Sequence, residues 1–208
     1  MLVSAVVGVP AASAAKVSLS PLPGYNYVET ADFDSGHLQG LTTNGSSAIY
    51  WSFTNTIVKT DGAGNTLHVV DVIDHHGDAT FVSTGPSGGR LYVAVNDRVT
   101  SPPGQFNVLN PNNPGRQWIY EYDSDLTYIT RHAVPEVIYG AGGIAYHAGK
   151  FLIVGGLPTN ETRNYVYEYD ASFNHLATRT LETGYTDRGI QTAEFAEGHW
   201  WFGTYQRE

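Results

Sequence analysis

Trp118-Ile119-Tyr120-Glu121-Tyr122-Asp123 returns as Tyr165-Val166-Tyr167-Glu168-Tyr169-Asp170, and this recurrence decides the fold. The closing aspartates, Asp123 and Asp170, lie 47 residues apart. A degenerate earlier copy is Thr56-Ile57-Val58-Lys59-Thr60-Asp61. Each copy alternates with period two, as a half-buried strand does. Each ends at an Asp, passes through small turn residues, and resumes as a second strand over Leu67 to Val72, Tyr128 to Val134 or His175 to Leu181. The pattern predicts a hairpin whose Asp accepts hydrogen bonds from the turn backbone.

Upstream of each hairpin stands a second repeated unit that opens on glycine and runs into an aromatic or β-branched strand. Gly40-Leu41 leads to Ile49-Tyr50-Trp51-Ser52-Phe53, and Gly77-Asp78 leads to Leu91-Tyr92-Val93-Ala94-Val95. Gly143-Ile144-Ala145-Tyr146 leads to Phe151-Leu152-Ile153-Val154, and Gly189-Ile190 leads to Trp200-Trp201-Phe202-Gly203. Joined, the two units predict four short antiparallel strands per repeat, at a period of about 40 to 50 residues, which is the pattern of a β-propeller. A β-sandwich has equally short strands but does not normally repeat a matched four-strand unit. The opening glycine is expected beside the central channel, where backbones crowd.

These repeats place one blade at 36–73, a second at 75–135, a third at 140–182, and a fourth from 186 with only two strands. Three blades and a partial fourth fall short of the usual minimum of about four. The expectation is therefore a ring of five or six blades that continues past Glu208, with Lys16 to Phe33 as a possible outer strand. The stretch 97–117, with Pro102, Pro103, Pro111 and Pro114, cannot be regular strand and is expected as an inserted loop in blade two.

Composition agrees with an all-β chain. There are 14 Tyr, 4 Trp and 23 Gly in 208 residues, with 15% charged residues. The net charge of −9, without any Lys/Arg cluster, excludes nucleic acid and anionic membrane surfaces as expected partners. A small-molecule or saccharide ligand, or a metal ion, suits it better. Leu2 to Val9 is apolar and Ala12-Ser13-Ala14 has the small-x-small form of a signal-peptidase site, so residues 1–15 are expected to direct export. The apolar run is too short to span a bilayer. With no Cys the chain has neither disulfides nor thiolate metal sites. A secreted or periplasmic bacterial protein fits that composition.

Function on a propeller is expected at the axis. Alignment on the glycines puts Gln39, His76, Gly142 and Arg188 at one equivalent position, and His37, Asp74, Gly140 and Thr186 two residues earlier. The densest cluster is Asp74-His75-His76-Gly77-Asp78. Imidazole and carboxylate suit a divalent ion such as Ca, Mn or Zn, so His37, Gln39, His76 and Asp78 are the expected metal ligands. Neighbouring residues of an extended strand point to opposite faces, so only one of His75 and His76 would ligate, and the glycine alignment selects His76. The bland alternative is that the aspartates cap turns and the histidines bond backbone. Without a metal, His76 oriented by Asp78 would act as general base while Arg188 holds an anionic group. Tyr50-Trp51 and Trp200-Trp201 are expected to fill space between blades rather than stack on sugars.

In Gln39-Gly40-Leu41, Gly143-Ile144-Ala145-Tyr146 and the strand-Asp-turn-strand hairpins, the chain resembles the secreted propellers that include SMP-30/gluconolactonase-like, NHL-type and plant-type glutaminyl cyclase proteins. The resemblance covers about 36–205 at the level of repeat pattern. For the lactonase group it implies a divalent cation held by carboxylates and Asn that activates water. This chain departs from that in offering His37, Gln39 and His76. It is also similar to propeller polysaccharide lyases, whose metal is held by His and Gln. His75-His76-Gly77-Asp78, Gly140-Ala141-Gly142-Gly143 and Trp200-Trp201-Phe202-Gly203 resemble a bacterial secreted family, which implies no activity. The sequence thus predicts a metal-assisted hydrolase or lyase acting on a small ester, lactone or sugar-derived substrate at the axial mouth, or else a non-catalytic binding propeller.

Overall fold

The computed structural model describes residues 38–85, 88–96, 117–157 and 161–205. Residues 1–15, His37 and the loop from 97 to 116 lie outside the described residues. Among the described residues the secondary structure is β-strand alone, and no helix is long and apolar enough to cross a membrane.

The strands form a propeller of antiparallel blades, each wound outward in chain order. Blade one holds β1 (Leu38–Thr43), β2 (Ala48–Phe53), β3 (Thr56–Asp61) and β4 (Thr66–Asp71). Blade two holds β5 (His75–Gly85), β6 (Gly88–Asn96), β7 (Gln117–Asp123) and β8 (Tyr128–Ala133). Blade three holds β9 (Ala141–His147), β10 (Lys150–Gly155), β11 (Asn164–Asp170) and β12 (His175–Leu181). In the fourth blade the described strands are β13 (Asp187–Ala196) and β14 (His199–Tyr205). These blade bounds fall within a few residues of those the repeats predict; Gln117, the last residue of the expected insertion, opens β7.

Period-two alternation sends successive side chains to the two faces of a blade, and each face is covered by the next blade. On β6, Leu91, Val93 and Val95 meet Tyr50 and Ile57 of blade one, whereas Ala94 turns toward Ile144 and Phe151 of blade three. On β10, Phe151 and Ile153 join that second core, while Leu152 and Val154 pack with Ile190 and Ala193 of the fourth blade. The mixed blade faces are therefore buried only in the stack, the physical reason a single repeat does not stand alone. Outer strands β4 and β8 are largely solvent-exposed, consistent with their place at the rim.

The predicted hairpin turns are present. Asp170 Oδ1 accepts hydrogen bonds from the backbone N–H of Ser172 and Asn174 at 2.8 and 2.9 Å. Asp61 and Asp123 make the same pair of bonds in their blades. At the axis, a methyl group on Gly77 would fall inside van der Waals contact with the Gly142 carbonyl oxygen of blade three. A methyl on Gly40 would strike Asp78. Inner strands approach that closely only without a side chain.

Candidate functional site

The inner strands β1, β5, β9 and β13 bring one residue or more from each described blade to the axial mouth. Gln39 comes from β1, His75 and Gly77 from β5, Ala141 and Gly142 from β9, and Gln191 from β13. Asn96, Tyr139 and Gly140 complete the lining. Gln39 Nε2 donates to Thr54 Oγ1 at 3.1 Å and lies 3.4 Å from His75 Nε2. Gln191 Nε2 donates to the Arg188 carbonyl at 2.5 Å. The space between these groups is about 10 Å³, room for about one water molecule.

His75, not His76, stands beside Gln39. The two histidines do point to opposite faces, as the pleat requires, but the glycine alignment chooses the wrong one. A register shift between His76 and Ala79 breaks the simple alternation at the start of β5. His76 is thereby buried against the outer half of its own blade, with Nε2 2.7 Å from the Tyr122 hydroxyl and its ring edge-on to Tyr120. Burial there disfavours the imidazolium and lowers the His76 pKa from 6.5 to about 3. A neutral, enclosed imidazole of this kind is a core group rather than an axial base.

Asp78 does reach the axis, but it serves as a bracket for backbone. Its Oδ2 accepts from the Ala193 N–H of β13 at 3.0 Å. Its carboxyl also accepts from the N–H groups of Ala79 on its own strand and Ile144 on β9. Complete burial pushes its pKa well above the usual carboxylate value, opposed by these three N–H donors. Asp78 and His76 thus have partners on different elements, and the expected dyad is not assembled. Arg188 is exposed at the entrance of β13, in a left-handed backbone conformation with φ 62°.

Among the described residues no group of three or more His, Asp or Glu could hold a metal ion. Of the expected ligands, Gln39 and Asp78 both line a cleft between blade one and the fourth blade, His76 lies in the core, and His37 falls outside the described residues. Tyr50 packs between blades one and two as expected, stacked 5.1 Å from Phe81, whereas Trp51 clusters with Phe53 and Val58 of its own blade. Trp201 departs from the expected packing role: it is 58% exposed and, with Gln39, Asp78 and Glu194, lines that cleft of about 590 Å³ between blade one and the fourth blade.

A second recess, absent from the sequence reading, lies between the outer strands of blades one and two. Val72 and Ile73 form one wall, and Tyr120, Tyr122, Leu126 and Tyr128 the other, around about 320 Å³. The usable signal was a departure from the repeat: Tyr120 and Tyr122 recur as Tyr167 and Tyr169, but Tyr128 and Arg131 of blade two have His175 and Thr178 in their places.

No protein-family model matches the chain, and no curated protein sequence matches it. Solved structures similar to it include the Neurospora crassa Pan2 WD40 domain, at 12% identity and TM-score 0.48 over 78% of this chain and 44% of that one. A protein of unknown function from Bacteroides caccae is 11% identical, with TM-score 0.48, over 79% of this chain and 52% of that one. A luciferin-regenerating enzyme is 14% identical, with TM-score 0.46, over 81% of this chain and 69% of that one. The chain spans about half the length of the first two of these, 44% and 52%.

Proposed function

We propose that this chain is a non-catalytic, ligand-binding propeller, exported from a bacterial cell. The observation that carries the reading is the use of the axial groups. Asp78, the one buried carboxyl at the axis among the described residues, spends its acceptors on backbone N–H groups of three inner strands. The space between Gln39, His75 and Gln191 holds about 10 Å³, too little for an ester, lactone or sugar, and in the larger cleft that Asp78 lines, its carboxyl is committed to backbone. His76, the expected base, is neutral and enclosed. An axis whose buried carboxyl is committed to backbone supports binding by recesses elsewhere on the blades, and the net charge of −9 favours neutral or cationic ligands. The apolar run Leu2 to Val9, Ala12-Ser13-Ala14 and the lack of Cys support export.

The test is a turnover screen of the full chain against esters, lactones and uronate polysaccharides, with and without chelator, alongside calorimetric titration of small ligands. Ligand binding without chelator-sensitive turnover is the expected result. Turnover that is abolished by chelator and by His75→Ala or Gln39→Ala would overturn the proposal in favour of an axial hydrolase or lyase.

A further inference from the structure

The recess between blades one and two has an aromatic floor whose polar atoms are tied down from behind. Tyr120 donates its hydroxyl hydrogen to Asp74 Oδ2 at 2.9 Å, and the Tyr122 hydroxyl is held by His76 at 2.7 Å. Both rings are otherwise buried, and both stand edge-to-face to Tyr128, at 5.6 and 5.9 Å between centroids. Tyr128 is thereby held in place while remaining 50% exposed. Opposite it, Ile73 is 75% exposed at the rim, beside the half-buried Val72.

Two charges of opposite sign flank this floor, Asp71 at the end of β4 and Arg131 on β8. The Arg131 guanidinium lies over the Trp118 ring, 4.0 Å from its centroid, and hydrogen-bonds Tyr120. It too is therefore oriented before any ligand arrives.

We propose that this recess is a binding subsite for a neutral sugar ring, an assignment that rests on the reading of the chain as a binding module. A pyranose has an apolar C–H face and a rim of hydroxyls that both donate and accept. The face suits the exposed side of Tyr128, the donors suit Asp71, and the acceptors suit Arg131. A cationic ligand would face the guanidinium of Arg131, and an anionic one the carboxylates of Asp71 and Asp74. Neutrality with mixed polarity is what the charge arrangement selects. The volume of about 320 Å³ lies at the small end of ligand sites, enough for one or two rings. Because the tyrosines and the arginine are already oriented, little side-chain freedom is lost on binding.

The experiment is calorimetric titration of the full chain with methyl glucoside, methyl galactoside and cellobiose, against glucuronate, glucosamine and a proline-rich peptide. At least one neutral sugar is expected to bind. Tyr128→Ala should weaken that binding about tenfold, Tyr128→Phe by less than about threefold, and Asp71→Asn by roughly threefold. Binding of only a charged sugar or only the peptide overturns the assignment, as does failure of every neutral sugar at millimolar concentration. Neutral-sugar binding that survives Tyr128→Ala overturns it too, while leaving the binding-propeller reading in place. Chelator-sensitive turnover alongside Tyr128-dependent sugar binding would instead overturn that broader reading and leave the subsite standing.

Discussion

Replacement of Asp78 by Ala is expected to be among the most damaging single changes in the molecule. The carboxyl accepts from the N–H groups of Ala79, Ile144 and Ala193, which belong to β5, β9 and β13. Alanine leaves these donors at the buried axis without that acceptor. A buried, unsatisfied polar group costs about 1–3 kcal/mol, and partial relaxation or an entering water lowers the sum for three neighbours. A loss of about 3–6 kcal/mol is expected, or a fall in Tm of roughly 6–24 °C for a chain of this size. Asp78→Asn keeps one acceptor oxygen and should lose less than Asp78→Ala. Thermal and urea unfolding give the magnitude, and amide exchange gives the location, since Ile144 and Ala193 should lose protection first. The pH dependence has a definite sign. Burial raises the folded-state pKa above the ordinary 3.8, so the folded protein holds this proton more tightly than the unfolded chain does. The stability of the wild type relative to Asp78→Asn should therefore be greatest below about pH 3.8 and fall as pH rises through the folded-state value. A loss below about 1 kcal/mol in Asp78→Ala, or unchanged exchange at Ile144 and Ala193, would refute the bracket.

His76 titrates in the opposite sense. Its pKa is lowered from 6.5 to about 3, so the stability it confers is complete above 6.5 and drains away as pH falls toward 3. That difference corresponds to about 5 kcal/mol in full, and His76→Phe should flatten this part of the acid-unfolding profile; an unchanged profile counts against an enclosed neutral imidazole. Gly77→Ala places a methyl against the Gly142 carbonyl oxygen and should cost about 1–3 kcal/mol in denaturant unfolding. Gly62→Ala, with nothing nearby, should change stability by no more than about 0.5 kcal/mol, and equal effects at the two sites would contradict the crowded axis. In the turn of blade three, Asp170→Ala should speed amide exchange at Ser172 and Asn174 while leaving Asn65 and Thr127 protected. Spread of the effect to the other blades would argue against independent hairpin caps.

The blades were legible because their causes are local. Alternation in Trp118–Asp123 and Tyr165–Asp170, the Asp that folds its own turn, and the glycine that opens each inner strand all act within a few residues. Period two also showed that His75 and His76 must face opposite ways. Which of them faces the axis was a tertiary matter, because a register shift beside Gly77 and the hydroxyl of Tyr122, 46 residues away, together decide where His76 lies. The backbone partners of Asp78 were not legible, since its donors Ile144 and Ala193 come from two other blades. The recess walled by Ile73 and Tyr128 was invisible for the same reason: its two sides belong to different repeats. Sequence alone determined how the chain makes a blade, through bonds and periodicities that each repeat contains. The stacking of blades decided which polar groups serve the fold and which remain for a ligand, because burial and partner distance exist only once the repeats have met.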